Sequence, residues 1–112
     1  MKKLYIILSM LSLLFLSGCE KDNVILKDIR IEQHELFYES EMTFINFSIT
    51  NTSKTEKYIK QIRIEYTKNN EEKEMYLIFD DVLKANESRD LYASIEDDIT
   101  MVNNIKYSAM KE

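Results

Sequence analysis

After Cys19 the chain contains no glycine, no proline and no further cysteine: the one Gly is Gly18, the one Cys is Cys19, and Pro is absent throughout. Glycine supplies the positive φ of tight turns and lets backbone approach a phosphate. A Gly-rich phosphate loop and a dinucleotide-binding fingerprint are therefore both excluded. Without a second Cys, the body of the chain has no internal disulfide and no thiolate metal site. His34 is the only His, which excludes a multi-histidine zinc site within one chain. Any Ser–His pair would have to use it. Turns must be made by Asn and Asp, which tolerate the left-handed region best after Gly.

The residues before this boundary form a separate unit. Lys2 and Lys3 precede an apolar run, Leu4 to Leu16, whose only polar members are Ser9 and Ser12. A positive start, a short apolar stretch and then small residues is the order of a secretory signal. The run is shorter than the ~20 apolar residues a spanning helix needs. The expectation is a signal helix over residues 1–18.

Leu16-Ser17-Gly18-Cys19 resembles the bacterial lipoprotein lipobox at every position. The resemblance implies that the Cys19 thiol receives a diacylglyceryl group and that a signal peptidase cuts before it, removing residues 1–18. It also implies a location: lipid-anchored to a bacterial cell membrane, on the outer face. Two acyl chains give stable attachment, at about 0.8 kcal/mol per buried CH₂. Residues 19–23 read as the lipidated Cys and a short polar tether.

From residue 24 onward the pattern is period-two. Ile29 and Ile31 alternate with Asp28, Arg30 and Glu32. Ile45, Phe47 and Ile49 alternate with Asn46, Ser48 and Thr50. Ile62, Ile64 and Tyr66 face one way, with Arg63 and Glu65 the other. Met75, Leu77 and Phe79 oppose Glu74, Tyr76 and Ile78; Leu91, Ala93 and Ile95, then Ile105, Tyr107 and Ala109, continue the series. These are half-buried strands. Lys68-Asn69-Asn70-Glu71 predicts a hairpin turn, and Lys84-Ala85-Asn86-Glu87 a second turn. Asn51 to Glu56 predicts a loop, and Asp97 to Asn104 a loop or a short helical turn. Phe37 and Tyr38 are expected to cross between sheets or to begin a second edge segment. About six or seven short strands at this spacing indicate an all-β fold, a small antiparallel β-sandwich spanning residues 24–112, with a partly open barrel as the alternative.

Phe47-Ser48-Ile49-Thr50-Asn51-Thr52-Ser53, then Ile59 to Tyr66, then Val82 to Ser88, resemble the immunoglobulin-like modules of bacterial surface lipoproteins, especially the FxLYD type. The resemblance implies an immunoglobulin-like sandwich and no catalytic residues.

Residues 20–112 carry 13 basic and 20 acidic side chains, a formal charge of −7. Nucleic acid and anionic headgroups repel such a domain, and a basic protein suits it. The acidic clusters Glu71-Glu72 with Glu74, Asp80-Asp81 and Glu96-Asp97-Asp98 match no EF-hand spacing and read as solvated turns rather than calcium ligands. His34 reads as a solvated side chain between two strands. Six Tyr follow Cys19. Tyr76 and Tyr92 lie out of phase with the apolar face of their strands, which makes them the candidate protein-contact residues. No catalytic residue, metal site or cofactor is indicated. The expectation is a non-enzymatic, membrane-anchored lipoprotein that binds a protein. The alternative is an inhibitor or immunity-type lipoprotein that blocks a cationic attacker such as a lysozyme, a bacteriocin or a phage component.

Overall fold

The computed structural model describes residues 24–112, so the signal segment, the lipobox and the tether lie outside the described residues. Six strands follow one another: β1 (Ile29–Glu39), β2 (Met42–Asn51), β3 (Lys57–Lys68), β4 (Glu71–Leu83), β5 (Ser88–Ile95) and β6 (Lys106–Met110). They form two three-stranded sheets, ordered β1-β2-β5 and β4-β3-β6, with every pairing antiparallel. Among the described residues there is no helix. The fold is the small β-sandwich that the alternation predicts. Its two strand orders are those of strands A-B-E and C′-C-F in an immunoglobulin Greek key. Where a further strand would flank β6, residues 24–26 cover part of the edge. Ile25 bridges Met110, Leu26 N donates to Ala109 O at 2.8 Å, and Lys111 N donates to Val24 O at 2.9 Å.

The two central strands supply the middle of the core. Ile45, Phe47 and Ile49 on β2 face Ile62 and Ile64 on β3, and all are almost wholly buried. Removing each such side chain from water contributes about 2 kcal/mol. Polar side chains alternate with them on β2 and stay half-exposed. Arg63 departs from the expected solvated position. It does point outward, yet it is only 5% exposed, because Tyr76 and Ser108 flank it on the neighbouring strands.

The turns show how the chain bends without Gly. Asn69 and Asn70 take φ of 54° and 65° between β3 and β4. Two consecutive positive values are the signature of a type I′ hairpin, whose twist matches that of the strands. Asn86 (φ 62°) and Asn104 (φ 63°) use the same tolerance. Ser40 and Glu41, with φ of 55° and 65°, form a second tight hairpin between β1 and β2 that neither residue type announces. Asp80 (φ 47°) occupies a bulge in β4.

A second bulge corrects two expectations. The β1–β2 register jumps between Gln33 and Glu35, leaving His34 as the extra residue within β1 rather than between two strands. The jump resets the facing. Ile29 and Ile31 point to the core before it, and Leu36 after it. Phe37 and Tyr38 therefore continue β1 and do not cross to the other sheet.

Each end of the sandwich is tied by one buried polar residue. Thr43 Oγ1 donates to Asp97 O (2.6 Å) and accepts from Ile99 N (3.1 Å), which seats Ile99 in the core. At the opposite end Asn51 Nδ2 donates to Thr55 O and Leu83 O, each at 2.9 Å. Its Oδ1 accepts from Ser53 N (2.9 Å) and Ser53 Oγ (2.7 Å).

Candidate functional site

Strand register decides what Tyr76 and Tyr92 can do. Tyr92 on β5 stands opposite Asn46 of β2, on the outer face of the first sheet. Tyr76 on β4 stands opposite Arg63 of β3, on the outer face of the second. Both are exposed, at 71% and 40%, but they lie on opposite sides of the sandwich and make no common site. Tyr76 is also committed locally. Its hydroxyl donates to Glu74 Oε2 at 2.9 Å, and that hydrogen bond holds the phenol above its ordinary pKa.

Tyr92 has neighbours that sequence alone does not group with it. Phe37 on β1 pairs with Phe44 on β2, and their rings stack with centroids 5.3 Å apart. In the first sheet the row Phe37–Phe44–Ser94 lies next to the row Glu35–Asn46–Tyr92. Phe44 and Tyr92 are thus diagonal cross-strand neighbours, within reach of one another's rings. The three aromatics and half-buried Met42 cover one region of an otherwise polar face.

The charges on that face are uneven. Glu32, Glu35 and Glu39 from β1 and Asp90 from β5 share it, and Arg30 is its one Lys or Arg. None of these four carboxylates has an ion-pair partner among the described residues. The outer face of the second sheet differs. There Arg63 Nε lies 3.2 Å from Glu65 Oε1, an ionic contact without hydrogen-bond alignment, and Glu74 accepts from Tyr76.

His34 also belongs to the first face, where its Nε2 is 2.9 Å from Ser48 Oγ. This is the distance of a nucleophile–base pair. Among the described residues, however, no acceptor orients the other ring nitrogen, and both side chains sit on an open sheet surface.

The acidic clusters act as local acceptors. Asp97 Oδ1 takes a hydrogen bond from Lys68 Nζ at 2.6 Å, and this bond, with the charges of Lys68 and Lys73, keeps the carboxyl below the usual range. Asp81 caps Val82 N (2.7 Å) and pairs with Arg89 (3.1 Å). Asp98 accepts from Thr100, and Asp80 from the Tyr58 hydroxyl. Among the described residues no group of His, Cys, Asp and Glu side chains could hold a metal ion.

Open clefts lie on the surface of the described residues. One, of about 390 Å³, lies over Tyr66, Lys73, Glu74 and Lys106 and carries both signs of charge. Another, of about 470 Å³, follows the seam between β1 and β6, over Ile31, Leu36, Val102 and Tyr107. Neither includes His34. No protein-family model matches the chain, and no curated protein or solved structure matches it.

Proposed function

We propose that the chain is a membrane-anchored extracytoplasmic lipoprotein whose immunoglobulin-like β-sandwich binds a protein and performs no catalysis. The observation that carries the binding role is the aromatic group on one open sheet face, exposed Phe37 and Tyr92 with half-buried Phe44 between them. Protein interfaces are enriched in Tyr and Phe. Small-molecule sites are concave and enclosed, and both clefts described above are open. Leu16-Ser17-Gly18-Cys19 supports the anchor, with Cys19 as the lipidated residue. The inhibitor of a cationic attacker is a narrower form of the same reading.

Two experiments test it. Radiolabelled palmitate enters the wild type and not Cys19→Ala; equal labelling of both overturns the anchor. A photo-crosslinking side chain, scanned over both outer faces of the full chain in its own membrane, captures a protein. Capture from neither face overturns the binding role.

A further inference from the structure

We infer that the outer face of the β1-β2-β5 sheet docks a cationic protein segment, whose Arg or Lys side chains lie on the rings of Phe37, Phe44 and Tyr92 and pair with Glu32, Glu35, Glu39 and Asp90. The inference rests on the protein-binding reading above and adds the face and the chemistry of the partner.

Charge complementarity selects the partner. Four carboxylates surround the aromatic group, against Arg30 as the one opposing Lys or Arg. Glu35 shares a row with Tyr92, two strands away, a separation of about 10 Å. A cation above the Phe44 ring thus has a carboxylate to one side and a second aromatic ring to the other. Cations are attracted to ring faces, most strongly where water is excluded, and Arg does this while still pairing with carboxylates.

The comparison between the faces selects the surface. On the second sheet cations stand among the carboxylates: Arg63 lies on Glu65, Lys106 is opposite Glu65 in register, and Tyr76 is bonded to Glu74. On the first sheet Tyr92 is 71% exposed, and the four carboxylates have no cationic partner among the described residues. Charge also disfavours a second copy of this chain as the occupant. Two such faces would bring eight carboxylates together, and the domain carries −7 overall. Like charges brought together across an interface oppose association.

The test uses the full chain, ¹⁵N-labelled in an uncharged detergent. It is titrated at low ionic strength with a decapeptide of alternating Arg and Ser. Amide shifts are expected at Phe37, Phe44, Asn46 and Tyr92. Tyr92→Ala should weaken binding roughly tenfold and Glu35→Gln severalfold, with Tyr92→Phe retaining most of it. Tyr76→Ala, on the far side, should leave binding unchanged. Raising salt should weaken binding progressively. Shifts centred on Arg63 and Tyr76, equal binding of a Glu–Ser decapeptide, or no binding at all would each overturn the inference. So would a dimer, detected by sedimentation, that Tyr92→Ala dissolves, because the face would then belong to a second copy. If crosslinking succeeds only from the Tyr76 face, the site assignment fails while the protein-binding role stands. If crosslinking fails from both faces, the role itself fails.

Discussion

The side-chain amide of Asn51 donates to the Leu83 carbonyl at 2.9 Å and so ties the end of β2 to the end of β4, in the other sheet. The same side chain fixes Ser53 and Thr55, and the Asn51 backbone bonds to Glu87 and Asn86. Asn51 is fully buried and its bond to Leu83 O is buried with it, so that carbonyl has no water to turn to if the side chain is removed, whereas Ser53 and Thr55 are closer to solvent. Asn51→Ala should cost about 3 kcal/mol, since it strands the buried Leu83 carbonyl and removes three further hydrogen bonds at the same end. Urea unfolding measures this; a loss below about 1 kcal/mol would show that the bonds are readily replaced. Ser53→Ala, which removes one hydroxyl at the edge of the cluster, should cost about 1 kcal/mol.

The Ser40-Glu41 hairpin has nearly the φ values of Asn69-Asn70, with residues poorly suited to them. Left-handed backbone costs an ordinary residue about 1–2 kcal/mol, and Asn and Gly less. Replacing Ser40 by Asn together with Glu41 by Gly should raise stability by about 1 kcal/mol. Asn69→Ala with Asn70→Ala should lower it by a similar amount. Thermal melts of the two double variants should shift in opposite directions.

Tyr107 hydroxyl donates to Gln33 Oε1 at 2.6 Å across the seam between the sheets, and burial pushes its pKa up to about 12 from 10.0. A raised pKa means that the folded state holds the proton more tightly than the unfolded one. The contribution is complete below about pH 10 and is lost as pH rises toward 12. Alkaline titration followed by tyrosinate absorbance should show one late phenol coupled to unfolding. Tyr107→Phe should flatten stability across this window; an unchanged profile would contradict the assignment.

At the acid end the sign reverses. The hydrogen bond from Lys68 holds the Asp97 carboxyl low, so its contribution is present above about pH 4 and is lost as pH falls below that. Asp97→Asn should reduce stability at pH 7 and hardly at pH 2, read by urea midpoints at the two pH values.

Arg89 closes the other seam. Its guanidinium lies 5.1 Å from the centre of the Phe79 ring, with Nη1 3.1 Å from Asp81 and Nη2 2.9 Å from Glu87. These groups are partly exposed, so Arg89→Ala should cost only about 1–2 kcal/mol. Arg89→Lys should recover less than half, because an ammonium cannot lie flat on the ring while bonding both carboxylates. Full recovery by Lys would mean that charge alone matters.

Much of this fold is legible in the sequence where one residue type both signals and performs the role. Ile45, Phe47 and Ile49 alternate cleanly because β2 is central and buried on one face. Asn69-Asn70 declares its hairpin because few residues accept that conformation. The β1–β2 hairpin is silent, since Ser and Glu carry no turn signal. β1 reads as two fragments because the His34 bulge shifts the period by one residue. The aromatic group is hidden for a different reason. Phe37, Phe44 and Tyr92 belong to three strands, and only the register of those strands makes them neighbours. That Tyr76 and Tyr92 point outward follows from their phase; that they point in opposite directions depends on which sheet each strand joins.

The contact of Ile25 with Met110 has a consequence for reach. It fixes where the chain enters the sandwich, at the end that holds Asn51 and the turn after β4. In the proposed anchoring, the lipid site Cys19 is five peptide units from Val24, a span of at most about 18 Å. The proposed anchor would therefore hold the sandwich by its Asn51 end, within that distance of the bilayer. Phe37 and Phe44, beside the Ser40-Glu41 hairpin, lie toward the opposite end of the strands, the end such an anchor would leave furthest from the headgroups.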